Sequence, residues 1–231
     1  EFVHSPEVGK EYPERQGLAE RNPAWCRSAL PLDELCAKME RVANSKLRAA
    51  GMSECIKEEV VAGRLYTGPM FEKYNAVLRA KSGVGFLEVK QKTLNRGNMY
   101  ATSIHAVNSC IVKLSKLTPA AEVWRGVKGG KLPEPFWVPN EENVRGGVEY
   151  GFSSCTLDRA QAERYAGVGG KEASTLYRMK MGMIDRGAEM SWLSQYPHER
   201  EILFAPLTGL ESAGFDFDCQ TLIVNFNLSL N

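Results

Sequence analysis

The chain has 231 residues, of which 43% are hydrophobic and 25% charged, a composition typical of a globular protein with a buried core. Lys and Arg number 29 against 28 Asp and Glu, and the net charge of +1 produces no overall field that favours nucleic acid. No apolar run approaches the roughly 18 residues of a membrane-spanning helix. We therefore expect neither a nucleic-acid partner nor a membrane span.

Cysteine and histidine are too sparse and too scattered for a metal centre. The chain has six Cys and three His, and no two cysteines have the C-x-x-C spacing of a zinc ligand pair. A domain of this size does not need disulfides, so buried free thiols are expected. We predict that no metal takes part in the function.

The first half of the chain has the pattern of helices. Residues 1–24 carry three prolines and few large apolar groups, which predicts an N-terminal arm. After Leu32, apolar residues recur at intervals of three and four. This spacing predicts helices at about 32–47, 53–63, 71–78 with Pro69 in the first turn, and 104–114. Glycines and asparagines predict an extended connection between 83 and 98.

The second half has the pattern of strands. Short runs rich in Val, Phe, Tyr and Ile alternate with Gly, Pro and Asn, and the last run, 222–230, alternates apolar and polar residues most regularly. One helix is predicted within this half, over 158–166. Helices followed by strands indicate an α+β fold. We expect one domain over 25–231, with a helical part at about 25–118 and a β core at about 119–231.

Three polar clusters lie in these strand-like surroundings. Arg125 is flanked by apolar residues, where a guanidinium needs an anionic partner, either an internal carboxylate or a ligand phosphate. Small hydroxyl and thiol groups occupy 153–156, a pattern that an ordinary helix start would also produce. Glu199 and Glu201 stand two residues apart before an apolar run, and on an extended strand they would share a face.

Taken in order, the three clusters resemble the motifs of one enzyme family. The segments Arg125-Gly126, Phe152-x-Ser154-Cys155-Thr156 and Glu199-Arg200-Glu201 are similar to the Arg, Ser-Thr-Ser and Glu-x-Glu elements of the arginine-directed mono-ADP-ribosyltransferases, the R-S-E class. Upstream, Tyr66-Thr67 and Tyr74–Arg79 are similar to the helix that precedes the β core in that family. Cysteine and threonine replace the second and third residues of Ser-Thr-Ser, and the thiol would make activity sensitive to oxidation.

The resemblance implies an ADP-ribosyltransferase fold, with an N-terminal helical region followed by a β-sandwich NAD-binding core. NAD would be the substrate, with no metal. Glu201 would stabilise positive charge on the ribose as nicotinamide leaves, and Ser154 would orient it. Arg125 would hold the NAD phosphates and the Gly126 backbone the nicotinamide amide. Phe152 and Tyr66 would complete the NAD site.

The resemblance also implies an arginine side chain of a protein as the acceptor. A guanidinium is a poor nucleophile while protonated, and Glu199 would hold it and draw off a proton. The family's acceptor-recognition loop, the ARTT loop, would correspond to 191–197, with Trp192 and Tyr196 as exposed aromatic contacts.

Two other functions remain open on the sequence alone. The same residues would suit an NAD glycohydrolase, which releases nicotinamide without a guanidine acceptor. A catalytically silent NAD-binding or interaction module would keep the fold without needing Glu199 and Glu201. We expect a monomer, and the sequence indicates neither the compartment nor the target protein.

Overall fold

The computed structural model describes residues 30–129, 132–170, 173–218 and 221–230. The predicted N-terminal arm at 1–24 lies outside the described residues. Within the described ranges, no helix is both long enough and apolar enough to cross a bilayer. The chain forms two compact units, one of 30–117 with Ala188–Arg200 and one of 118–187 with 201–230.

Helices dominate the first unit. They are α1 (Leu32–Met39), α2 (Ser45–Ala49), α3 (Lys57–Leu65), α4 (Phe71–Arg79), α5 (Gly85–Asn95) and α6 (Ala101–Leu114). A wide turn at Glu40–Asn44 joins α1 to α2, and a kinked turn at Tyr66–Met70 joins α3 to α4. The short strand β5 (Ala188–Glu189) also belongs to this unit.

Helices α3 and α6 are joined by a partly buried ion pair. Lys113 Nζ lies 2.8 Å from Glu59 Oε1, and the Ser109 hydroxyl donates to the same oxygen. Burial by itself would raise the pKa of Glu59, but the bonds from Lys113, Ser109 and the Ile56 N–H hold it below its usual value. Asn44 anchors the chain before α3 through two hydrogen bonds with the backbone of Cys55, of 2.9 and 2.8 Å.

Helix α5 corrects the extended connection predicted between 83 and 98. Its side chains reverse the usual pattern, because Phe86 and Val89 are exposed while Gln91 and Asn95 are buried. The buried amide groups donate hydrogen bonds, from Gln91 Nε2 to the Met99 sulfur and from Asn95 Nδ2 to the Lys73 carbonyl. An apolar-periodicity argument fails on a helix whose inward face is polar. The second predicted helix also begins later than expected, at Lys57.

The second unit is built on a sheet. Its strands are β1 (Glu122–Lys128), β2 (Gly146–Glu149), β3 (Ser153–Thr156), β4 (Ser174–Lys180), β6 (Glu201–Phe204), β7 (Thr208–Asp218) and β8 (Thr221–Ser229). They lie in the order β2-β7-β8-β4-β1-β3-β6. All neighbouring pairs in this order are antiparallel except β4 with β8. The strands of the predicted core are hydrogen-bonded to one another in this order.

Helix α7 (Arg159–Ala166) packs on β1 and confirms the helix predicted in this half. It begins as expected, because the Asp158 side chain accepts from the Ala160 N–H at 3.0 Å. A β-carbon on Gly126 would lie 2.6 Å from the backbone N of Ala166 and closer still to the Ala162 carbonyl oxygen. Glycine at this position therefore lets helix and strand backbones approach each other.

We predict that Gly126→Ala destabilises the protein by about 3 kcal/mol, because the obstacle is helix backbone, which cannot move aside as a side chain would. Urea unfolding followed by circular dichroism measures the loss. Gly182→Ala is the control: a β-carbon there meets no atom within 4 Å, and the unfolding free energy should change by less than about 0.5 kcal/mol. Equal stability of the two variants would contradict the prediction.

Candidate active site

Strands β1 and β3 separate after one paired position. Trp124 lies opposite Thr156, and this is the single register position at which the two strands pair. Strand β1 pairs with β4 along all seven of its residues, whereas β3 pairs with β6 along all four. Among the described residues, the stretch of β1 after Trp124 is therefore not paired with β3. A gap between neighbouring strands exposes backbone groups that a ligand can bind.

Arg125 lies at the start of this gap and is held from two sides. Its guanidinium donates a hydrogen bond to the Ser153 hydroxyl and lies 3.8 Å from a carboxylate oxygen of Glu149. Glu149 also accepts from the Gly151 N–H at 2.9 Å, which fixes the turn before β3. The internal carboxylate that burial requires is thus present. The Arg125 side chain keeps 25% of its surface exposed, so it remains accessible to an anion.

Ser154 and Glu201 form the second polar group of this unit. The Ser154 hydroxyl donates to Glu201 Oε1 at 2.7 Å. Glu201 is 6% exposed, and a carboxylate removed from water to that degree needs hydrogen bonds to remain charged. The bond gives this side chain one orientation at the start of β6. The structure thus brings together Ser154 and Glu201, which the motif placed 47 residues apart.

The register assigns these two groups to opposite faces of the sheet. Thr156 lies opposite both Trp124 and Glu201, and directly opposed residues of antiparallel strands share a face. Side chains alternate along a strand, so Ser154 shares the face of Glu201 whereas Arg125 and Ser153 share the other.

The thiol of Cys155 is buried close to both polar groups. Burial raises its pKa to about 11, the positive charge of Arg125 opposes this rise, and the carboxylates of Glu201 and Glu149 add to it. The thiol is therefore protonated at neutral pH, and a protonated, buried thiol is a poor target for oxidants. Burial and the raised pKa both argue against the expectation that Cys155 makes activity sensitive to oxidation.

Glu199 does not lie on the strand that begins at Glu201. It ends a short 3₁₀ turn, Pro197–Glu199, and the next residue, Arg200, has left-handed backbone angles of φ 47° and ψ 49°. The extended geometry predicted for both glutamates is therefore wrong for Glu199. Non-glycine residues adopt this conformation infrequently, and it turns the chain just before β6.

The segment before Glu199 belongs to the first unit and is mostly inward-facing. Tyr196 is 9% exposed and its ring lies edge-on to His198, so the prediction that it is an exposed aromatic is wrong. Trp192 is partly buried, and its carbonyl oxygen accepts from Lys38 Nζ at 3.5 Å. Proline at 197 and Arg200 are the exposed residues near the end of the segment.

Of three further predicted site residues, two have buried side chains and the third is a glycine, which offers only its backbone. Phe152 is fully buried just before β3, and Tyr66, in the first unit, is 2% exposed with a hydroxyl that accepts from Asn75 Nδ2 at 3.2 Å. Gly126 presents only backbone to its surroundings, and its α-carbon faces α7.

Within the described residues, no group of three or more His, Cys, Asp or Glu side chains could hold a metal ion.

Sequence reasoning missed three residues that shape these sites. Ser153 and Glu149 hold Arg125, and buried Arg64 binds the segment before Glu199. Strand alternation could have suggested Ser153 as a partner of Arg125, since both side chains lie on the face opposite to that of Ser154. No local signal could have identified Glu149 or Arg64, because their partners are distant in sequence or lie across a turn.

Comparison with known proteins agrees with this architecture. No family model matches the sequence, and no curated protein matches it. Among solved structures, the ADP-ribosyltransferase HopU1 of Pseudomonas syringae pv. Tomato DC3000 matches with a TM-score of 0.61 at 18% identity, covering 90% of this chain and 94% of that one. The chain has the ADP-ribosyltransferase fold. The predicted α+β class, with helices ahead of a sheet core, is confirmed.

Two other proteins of this fold were solved with informative ligands. The Vis toxin, an ADP-ribosyltransferase from Vibrio splendidus, matches with a TM-score of 0.55 at 18% identity, over 99% of this chain and 90% of that one. Vis was also solved in complex with agmatine. Exoenzyme S from Pseudomonas aeruginosa, in complex with human 14-3-3 protein beta and bound to carba-NAD, matches with a TM-score of 0.52 at 18% identity, over 85% of this chain and 87% of that one.

We predict that iodoacetamide at pH 8 leaves Cys155 unmodified in the folded protein while it alkylates Cys36, which is partly exposed. The reason is that a thiol with a pKa of about 11 has little thiolate at pH 8 and is also shielded from the reagent. Peptide mass spectrometry measures both sites, and the same treatment in urea should label both. Alkylation of Cys155 at the rate of Cys36 without urea would refute the prediction.

Proposed function

We propose that this protein is a mono-ADP-ribosyltransferase that transfers ADP-ribose from NAD to arginine side chains of a protein acceptor and releases nicotinamide. The observation that carries the proposal is the 2.7 Å hydrogen bond from Ser154 to the buried carboxylate of Glu201, next to a strand gap with Arg125 at its edge. This arrangement supplies an oriented anion and a cation in one unit of the ADP-ribosyltransferase fold.

Cleavage of NAD requires stabilisation of a positively charged ribose. As the bond between the nicotinamide nitrogen and ribose C1′ breaks, its electron pair leaves with nicotinamide and C1′ gains oxocarbenium character. Glu201 stabilises that charge and accepts from the ribose 2′-hydroxyl, and Ser154 keeps its carboxylate in place. Arg125 binds the phosphates through its exposed guanidinium edge, and the Gly126 backbone binds the nicotinamide amide.

Transfer to arginine requires a base for the acceptor. A guanidinium nitrogen attacks C1′ only as it loses a proton, and Glu199 takes that proton. Trp192 and Tyr196 belong to the same segment. Trp192 is proposed to contact the acceptor, and Tyr196, which is largely buried, is proposed to support the backbone of this acceptor-recognition segment. Phe152 is fully buried just before β3 and is proposed to support the NAD site from within the second unit.

Two of the structural relatives support the substrates. Exoenzyme S binds carba-NAD, an NAD analogue, on the same fold. Vis binds agmatine, whose guanidine group matches that of an arginine side chain. The Glu-x-Glu spacing of Glu199 and Glu201 adds support from the sequence of this chain.

We predict that Glu201→Gln abolishes nicotinamide release, lowering kcat by at least about 100-fold, because the uncharged amide no longer stabilises the ribose cation. Glu199→Gln should lose transfer to agmatine and retain NAD hydrolysis, because attack by water does not require a proton to be removed from a guanidinium. Nicotinamide release and ADP-ribosyl-agmatine are both measured by chromatography. Glu211→Gln, an exposed carboxylate of the same unit, is the control and should match the wild type.

The same assay separates the transferase from the hydrolase. Wild-type protein should consume NAD faster with agmatine than without it and should convert agmatine to its ADP-ribosylated form. Equal NAD consumption with and without agmatine, and no modified agmatine, would identify an NAD glycohydrolase instead. No nicotinamide release under either condition would reject both enzymes in favour of a silent binding module.

A further inference from the structure

We propose that Arg64 is a positioning residue that selects the acceptor, because it holds the 192–199 segment in the one conformation that presents Glu199. This inference rests on the proposed function and assigns a role in the same reaction to a residue outside its motifs. All the contacts that carry it lie within the first unit. These contacts are buried hydrogen bonds, close packing against two glycines, and a short series of local hydrogen bonds that ends at Glu199.

The guanidinium of Arg64 bridges two consecutive carbonyl groups. It lies at the end of α3, is 2% exposed, and its Nη1 donates to Leu193 O at 2.8 Å and to Ser194 O at 3.2 Å. These partners are 129 and 130 residues away in sequence. The terminal guanidinium nitrogen carries two N–H groups and can therefore donate to two neighbouring carbonyls, and a hydrogen bond from a charged donor is stronger than a neutral one.

The segment returns hydrogen bonds to the same turn of the first unit. Gln195 Nε2 donates to the Arg64 carbonyl at 2.9 Å, and the Gln195 N–H donates to Thr67 Oγ1 at 3.0 Å. The Thr67 hydroxyl in turn donates to the Arg64 carbonyl at 2.8 Å. Arg64 therefore binds the segment through its side chain and through its backbone, and a shift of the segment would disturb both sets of bonds.

Two glycines on either side of Arg64 allow the segment to lie this close. A β-carbon on Gly63 would lie 3.3 Å from Met190 Cε and 3.6 Å from Leu193 Cδ1. A β-carbon on Gly68 would lie 2.8 Å from Gln195 Cδ and would overlap the rest of that amide. The backbone around Arg64 is thus packed directly against the segment, which leaves little freedom for other conformations.

Local hydrogen bonds connect the carbonyl groups that Arg64 binds to Glu199. The Tyr196 N–H donates to the Ser194 hydroxyl at 2.9 Å, and the Glu199 N–H donates to the Tyr196 carbonyl at 3.1 Å. The chain between the carbonyls that Arg64 binds and Glu199 is therefore two short, internally bonded turns. A displacement of about 1 Å at a reacting group can cost about 100-fold in rate, so loss of the Arg64 bridge should affect acceptor attack most.

Arg64→Lys is the decisive variant, because lysine keeps the charge but its side chain is one bond shorter, so its ammonium does not reach the position from which Arg64 Nη1 binds the two carbonyls. We expect the KM for agmatine to rise at least about 10-fold while the KM for NAD and the rate of NAD hydrolysis change by less than about twofold. Gly68→Ala, which collides with the Gln195 amide, should give the same pattern. Hydrogen–deuterium exchange of peptides covering 193–199 should become faster in both variants.

Asn44→Ala is the matched control. It removes two buried hydrogen bonds to Cys55 in the same unit and has no bond to the 192–199 segment among those described. It should lower the melting temperature while leaving the ratio of transfer to hydrolysis and the exchange of 193–199 unchanged. This comparison separates a positioning role from general destabilisation.

Specific outcomes overturn the inference. An unchanged ratio of transfer to hydrolysis in Arg64→Lys overturns it, even if exchange becomes faster, because the segment's position then does not select the acceptor. A ratio that falls equally in Asn44→Ala also overturns it. Wild-type protein that releases no nicotinamide rejects the proposed function, and unchanged exchange in Arg64→Lys would then show separately that Arg64 does not hold the segment.

Discussion

Strand β1 pairs with β3 at Trp124 alone, while it pairs with β4 along its whole length and β3 pairs with β6. Because the two strands separate inside one sheet, backbone that would otherwise be bonded to a neighbour borders a gap. Arg125 lies at one side of this gap, and Ser154 lies at the other with Glu201. The close approach of α7 to Gly126 positions β1 beside this gap.

Both units contain a charged side chain that is almost fully buried, and each charge is held by hydrogen bonds from distant parts of the chain. Glu201 accepts from Ser154, and Arg64 donates to two carbonyls of the 192–199 segment. A buried charge without such partners would cost several kcal/mol. Their cost is offset only in the folded chain, and as a result each side chain has one orientation. Single orientation is what a reacting carboxylate and a recognition segment require.

Prediction succeeded where a signal is local or where motif order is preserved. The helix predicted at 158–166 is present, and so is the last strand, which was predicted from its strict alternation. Prediction failed at α5, whose buried face carries Gln91 and Asn95, because periodicity assumes that the inward side is apolar. It failed again for Glu199, because a left-handed Arg200 interrupts what alternation treats as one strand.

The sequence by itself determined the class of fold and the residue types of the candidate site, since helical spacing, strand alternation and the order of Arg125, Ser154 and Glu201 are properties of the chain in one dimension. Only the tertiary structure decided which of these side chains are oriented, buried or bonded. The bond from Ser154 to Glu201 spans 47 residues, and those from Arg64 to the 192–199 segment span about 130. Contacts at such separations depend on packing and strand register, which no local pattern of residues encodes.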